Sequence, residues 1–431
     1  MDYSSIRKQY TAELTNFYQG GAFPQRASAD LRFALDCQRR RVAKFGLTMQ
    51  KKFDKDGAEN EKIFEHVQYP YTYTLTKNNC DYETDFYKNG KQVGRSDITE
   101  ETLYTGILDK QTQSQEQYTC KNCGHTDLLS KFTSGCPMCG TTYEMPQIYP
   151  CISGYYTRPT LISKKLYKGM MKGGFWYFGL LGIIFGLLAG LAIADEEGYG
   201  VGGTIAMTLF MILVFGGGLL LFGFLFFHLL LGPLLAAKKA TQVSKELKEN
   251  QAGAQTKARM EADLKKYDEG FSYEYFEEKV LSLFRGIAFS ENRNSLTIYD
   301  GQDPLQYMDN IVDVEYCGTL EYVGSSVVDN VLRVSAKAYV VSAYYDNSTG
   351  SVDFNKQVYQ MILAKKVKKE DYGFSIHAVN CKKCAGSFDA IHISTCPYCG
   401  AEYSLIEENW VVNQITCVKT TPQYLIPQNT I

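Results

Sequence analysis

A run without a single charged side chain extends from Gly173 to Ala194, and a second from Val201 to Ala237. Only the acidic loop Asp195-Glu196-Glu197-Gly198-Tyr199-Gly200 parts them. A hydrocarbon layer about 30 Å thick takes roughly 20 apolar helical residues to cross. The pair is therefore expected to form a membrane hairpin within residues 173–231. A helix as long as Val201–Ala237 would overshoot the bilayer, and Gly232-Pro233 is its expected break, because proline removes a helical donor. The spans are placed at about 174–194 and 204–231. Gly182, Gly186 and Gly190 recur every fourth residue, and Gly216, Gly217, Gly218 and Gly223 offer a smooth surface on the second span. Small residues at such spacing let helices approach closely. His228 is the only titratable group within, so the hairpin is read as an anchor rather than a pore.

Charge orients it. Arg158, Lys164, Lys165, Lys168 and Lys172 precede the hairpin; Lys238, Lys239, Lys245 and Lys248 follow it. Basic flanks stay cytoplasmic, so both termini are expected in the cytoplasm of a multi-pass protein of the cell (plasma) membrane. Trp176 and Tyr177 fall at the inner interface. Met1–Asp30 has no apolar core, so the first span is expected to direct insertion itself.

Thirteen cysteines accompany 45 Lys+Arg and 47 Asp+Glu. A net charge of −2 gives no basic field for nucleic acid. Eight of the cysteines form two clusters: Cys120, Cys123, Cys136 and Cys139 as C-x2-C-x12-C-x2-C, and Cys381, Cys384, Cys396 and Cys399 as C-x2-C-x11-C-x2-C. Each C-x-x-C turn aims two thiolates at one point, and two turns complete the tetrahedron that Zn2+ accepts. Two zinc ribbons, at 118–145 and within 373–417, are expected. With four sulfurs no position is open to water, so both Zn2+ sites are expected to be structural. His125 and His392 are surplus to the ligand sets. The other five cysteines show no disulfide framework, which agrees with a reducing compartment.

Residues 1–117 are expected to form an amino-terminal α+β domain. Ala29–Phe45 reads as a helix with Leu31, Leu35 and Val42 on one face and Arg39-Arg40-Arg41 on a solvated one. Asn89-Gly90 is a strong two-residue hairpin signal. Residues 232–257 read as a polar helical stalk with a thin apolar seam, a possible route to homo-oligomers, as are the glycine-rich spans. Beyond it, residues 258–372 begin with an amphipathic helix bearing Phe276, Val280, Leu283 and Phe284. Three strands follow, Asn310–Gly318, Val331–Tyr345 and Lys356–Val367, with a turn at Asp346–Gly350. Lys365, Lys366, Lys368 and Lys369 are read as either a solvated strand end or a contact for headgroups or an acidic partner. Residues 418–431 are a tail.

The order of helix, Val312-Asp313-Val314-Glu315, long strands ending in KKVKK, then CKKC, CPYCG and Trp410-Val411-Val412-Asn413-Gln414-Ile415 resembles the bacterial Tim-forty-four-like family, relatives of the carboxy-terminal domain of the mitochondrial import-motor membrane anchor. The resemblance covers about residues 258–417. It implies a nuclear-transport-factor-two-like (cystatin-like) domain whose pocket takes a hydrophobic ligand or lipid, with nearby helices contacting partners. The fold class expected is thus an α+β multidomain membrane protein.

H-E-x-x-H, nucleophile-elbow and P-loop motifs are absent, and residues 258–372 contain no His, so no catalytic residue is assigned. The expected role is a membrane-anchored binding or scaffold protein whose partners are the bilayer and a protein or hydrophobic ligand. The alternatives are a tethered zinc-ribbon regulator touching nucleic acid and a small-molecule enzyme using the same pocket.

Overall fold

The computed structural model describes residues 3–54, 61–111, 117–120, 122–132, 135–141, 149–159, 164–198, 200–226, 256–384 and 386–422. It divides into two units: Met1–Thr160 together with Gln251–Ile431, and Leu161–Asn250. His228, the Gly232-Pro233 break and most of the expected stalk lie outside the described residues.

The first unit opens with α1 (Tyr3–Tyr18) and α2 (Ala29–Lys44). Ser28 caps α2 by accepting from the Leu31 N–H, and Asp30 stands in its first turn, where a carboxylate complements the helix dipole. Strands β1 (Leu47–Asp54), β2 (Glu61–Gln68), β3 (Tyr71–Lys88) and β4 (Lys91–Lys110) follow, then the short β5 (Gln117–Thr119) and β6 (Thr126–Leu128) of the first cysteine ribbon, and β7 (Cys151–Pro159). A five-stranded antiparallel sheet runs β1-β3-β4-β7, with β2 also on β3. Asn89 and Gly90, at φ 51° and 77°, join β3 to β4 as the Asn-Gly signal requires.

After the apolar helices come α5 (256–264) and α6 (Tyr273–Phe289), the latter capped by Ser272 accepting from the Tyr275 N–H. Then β8 (Ile311–Val328), β9 (Val331–Asp346) and β10 (Ser351–Lys366) lead through the ribbon strands β11 (Val379–Asn380) and β12 (Ser387–Phe388) to β13 (Val411–Pro422). Their four-stranded antiparallel sheet has the order β13-β10-β9-β8. The Asp346 carboxylate holds the β9–β10 turn by accepting from the Ser348 N–H at 2.8 Å.

Helix α6 sits between the two sheets. Towards the four-stranded sheet, Phe284 meets Tyr359 and Phe276 meets Trp410, with ring centroids 4.9 and 5.0 Å apart. Its charged side is buried too. Glu278 lies on the five-stranded sheet where β4 and β7 place Gly106 opposite Gly154. A Cβ on Gly106 would stand 2.0 Å from its Oε2, so any side chain there would force this carboxyl to move. Residues 1–160 and 251–431, which the sequence separates into different domains, thus share one core.

Specific polar contacts tie these segments together. Arg41, expected on a solvated face, is buried; its guanidinium donates to the carbonyls of Ser290 at 2.8 Å and Met308 at 3.1 Å. Gln38 donates to Asp313 at 2.7 Å, and Lys51 pairs with the same carboxylate at 2.6 Å, both ions being buried. Burial opposes the Lys51 charge most strongly, but Asp313, Tyr155 and Glu315 together outweigh it, so the ammonium is held above its ordinary range.

The second unit pairs α3 (Lys164–Glu196) with α4 (Val201–Phe226). A Cβ on Gly182, Gly186 or Gly190 would lie 2.6, 2.4 or 2.5 Å from the Cα of Gly216, Ile212 or Thr208 respectively. The partners descend along α4, so the helices are antiparallel and in backbone contact at the glycine stripe. Leu180, Leu188, Phe210, Leu213 and Leu221 point outward. Tyr177–Glu196 and Val201–Phe222 are each long and apolar enough to cross a membrane.

Candidate metal centres

In the first ribbon the chain turns back at each C-x-x-C pair. The Gly124 N–H donates to the Cys120 carbonyl and the Gly140 N–H to the Cys136 carbonyl, both at 2.8 Å. Both glycines are in the left-handed region, at φ 75° and 69°. The second ribbon repeats this with Gly400, at φ 67°, donating to Cys396 at 2.9 Å. These turns point the sulfurs inward. Cys120 and Cys139 approach to 3.6 Å, as do Cys123 and Cys136; Cys381 and Cys399 stand 3.7 Å apart, Cys384 and Cys396 3.6 Å. Within each group all four sulfurs lie within 4.8 Å of one another, and all eight are thiols rather than disulfides.

Metal–sulfur bonds of about 2.3 Å in a regular tetrahedron put sulfurs about 3.8 Å apart, and these separations match that figure. Each group therefore has the geometry to bind a metal ion, and the structure brings together all eight residues that the spacing singled out. Neither nearby histidine enters a ligand set. His125 lies 3.7 Å from the Asp127 carboxylate, and His392 bonds Ser295 Oγ at 3.2 Å. Backbone N–H groups of Cys384 and Lys383 hold the Cys381 thiol down to about 6, while hydrogen bonds among the crowded sulfurs push Cys384 up to about 12.

The ribbons differ in what surrounds them. Cys120, Phe132 and Cys136, with Tyr118 against them, form a small core of their own. Cys381, Phe388, Ala390, Ile391 and Cys396 instead belong to the main core with Phe276 and Trp410. Thr297 Oγ1 donates to the Ala390 carbonyl at 2.7 Å, and the Thr297 N–H to the Ile391 carbonyl at 2.9 Å.

Two buried polar groupings escaped the sequence reading. One is Lys51–Asp313–Gln38 with Glu315, whose carboxyl is pushed up to about 7 by burial and by Asp313. The other is the row Glu274, Glu277, Glu278 and Lys279 on α6. Glu277 accepts from Tyr316, Tyr156 and Tyr273; Glu278 from Ser153 Oγ at 2.6 Å; Lys279 pairs with Asp30 at 2.6 Å. Burial pushes Glu278 up to about 8. A cavity of about 30 Å³ beside Glu278 and Ser153, and two of about 10 Å³ elsewhere in this unit, have the size of water molecules. Lys366 and Lys368, in the basic run after β10, are ion-paired to Glu407 and Glu408.

Comparison with protein-family models, with curated proteins and with solved structures gives no match.

Proposed function

We propose that this chain is a membrane-anchored binding or scaffold protein of the plasma membrane that faces the cytoplasm with both termini and carries structural Zn2+ in both ribbons. The observation that carries the reading is the interlocking of Met1–Thr160 with Gln251–Ile431 in one unit. A domain assembled from both flanks of an apolar hairpin needs both flanks on one side, hence an even number of crossings. The basic flanks then favour the cytoplasm. Four thiolates in a tetrahedron suit zinc, and a full sulfur set makes the metal a brace rather than a catalyst.

The order from α6 through β8–β10 and the second ribbon to β13 keeps the resemblance to Tim-forty-four-like domains as part of this proposal. In that family's pocket a hydrophobic ligand would need some hundreds of Å³. Here α6 fills the sheet face and the cavities beside Glu278, Lys51 and Trp410 are water-sized, which favours a protein partner held on the outer surface.

Topology and metal are both testable. Single cysteines introduced near residues 90 and 350 of the otherwise native chain should, like its native thiols, resist an impermeant maleimide in intact cells, while one at Gly198 should react. Modification near residue 90 or 350 would refute the orientation. Elemental analysis should return two zinc ions per purified chain, and proximity labelling from either terminus should mark cytoplasmic proteins.

A further inference from the structure

The two ribbons share a ligand set but not a setting. In the second, Cys381 and Cys396 are buried in the main core, Cys399 packs against it, and the loop between the knuckles is fastened to the segment after α6 through Ala390, Ile391 and His392. Cys384 is exposed here, but freeing the remaining sulfurs from the metal means opening the core on which α6, Trp410 and β13 depend. In the first ribbon, Cys123 and Cys139 are exposed, and the core behind the sulfurs is Cys120, Phe132 and Cys136 with Tyr118. Bonds within it link Thr119 with Thr126 across β5 and β6 at 2.9 Å, and Asn122 with Thr141 at 2.9 Å and the Cys139 sulfur at 3.7 Å.

We propose that the first ribbon is an exchangeable metal site and the second a locked one. A thiol-rich or multidentate competitor takes the ion from Cys120, Cys123, Cys136 and Cys139 while the rest of the unit stays folded. The exchange is ligand substitution without redox change. The incoming donor bonds the metal as an exposed thiolate, Cys123 or Cys139, leaves and takes a proton from solvent; the remaining three follow. Local opening sets the rate where a site is exposed, and opening of the surrounding core sets it where the site is buried. The inference rests on zinc occupying both sites, and it assigns the chain a place where soft divalent metal is passed to or from another thiolate ligand.

The test uses the full chain in detergent micelles carrying two zinc ions, challenged with excess of the chromogenic chelator 4-(2-pyridylazo)resorcinol and pulse-labelled with iodoacetamide. One equivalent should leave at least about tenfold faster than the other, as expected when release of the second needs core opening. Label should appear on Cys120, Cys123, Cys136 and Cys139 before Cys381, Cys384, Cys396 and Cys399. Two matched variants separate this from general instability, because each removes one exposed ligand. Cys123→Ser should leave the melting midpoint of the large unit unchanged, whereas Cys384→Ser should lower it. Equal release rates, prior labelling of the second ribbon, or equal loss of stability in both variants overturns the inference and leaves the zinc reading standing. A purified chain that holds no metal and takes none up overturns both.

Discussion

Replacing Glu278 by Gln should stabilise the protein, and by an amount that grows with pH. The carboxyl is buried against Gly106 and Gly154, accepts from Ser153 at 2.6 Å, and is faced by Tyr73, by Glu277 and Arg285 of its own helix, and by Asp30 and Lys279 across the small cavity. Burial raises its pKa from 4.5 to about 8. Unfolded chains release this proton above pH 4.5, whereas the folded chain keeps it up to about 8. Stability contributed by the protonated acid is therefore fully present below pH 4.5, falls through that window, and is gone above it. At pH 7 the interval is 7 − 4.5 = 2.5 units, which at about 1.4 kcal/mol per unit comes to about 3 kcal/mol. A neutral amide of the same shape escapes that loss, less about 1 kcal/mol for an altered bond to Ser153. Denaturant unfolding of full chain and variant in one detergent, followed by the fluorescence of Trp410 in the core, should give a gain near zero at pH 4.5. It should rise to about 2 kcal/mol at pH 7 and level off above pH 8. A gain that is flat across this range, or a variant less stable than the parent at pH 8, would refute the reasoning.

Other perturbations follow from the same packing. Gly106→Ala puts a Cβ 2.0 Å from Glu278 Oε2 and should cost about 1–3 kcal/mol by denaturant unfolding, most of it recovered when Glu278→Ala is added. Lys51→Met leaves Asp313 buried without its cation and should cost about 3–5 kcal/mol, while Lys51→Met with Asp313→Leu should restore most of the loss. Gly186→Leu, at a position where even a Cβ would stand 2.4 Å from Ile212 Cα, should force α3 and α4 apart and abolish a disulfide cross-link between cysteines introduced at Gly179 and Leu220.

What was legible in the sequence was local. The cysteine spacing locates both knuckle pairs, because four ligands on two tight turns leave few other arrangements. Asn89-Gly90 marks a hairpin because its turn demands positive φ. Gly182, Gly186 and Gly190 announce the face on which α3 meets α4. What was hidden depends on partners far along the chain. Arg41 looks like a solvent residue until Ser290 and Met308 supply its acceptors. Glu277, Glu278 and Lys279 give α6 the look of a surface helix because hydrophobic periodicity records one apolar face. It cannot register that Tyr316 of β8, with Tyr156, Ser153 and Asp30 from the amino-terminal segment, satisfies the other. The division into residues 1–117 and 258–372 fails to anticipate the common core for the same reason: Gln38 and Asp313 meet with no nearby residue to announce it.

That common core has a consequence for biosynthesis. The five-stranded sheet leaves the ribosome before α3 and α4, and the helix that covers Gly106 and Gly154 leaves after them. Nascent strands thus wait with an uncovered face while α3 and α4 are made, and on the proposed topology they close only when the later part of the chain returns to the same compartment. On the proposed topology, a chain in which only one of the two helices crossed would strand α6 across the bilayer from its sheet, so folding itself would act as a proofreading step and expose misinserted chains to quality control.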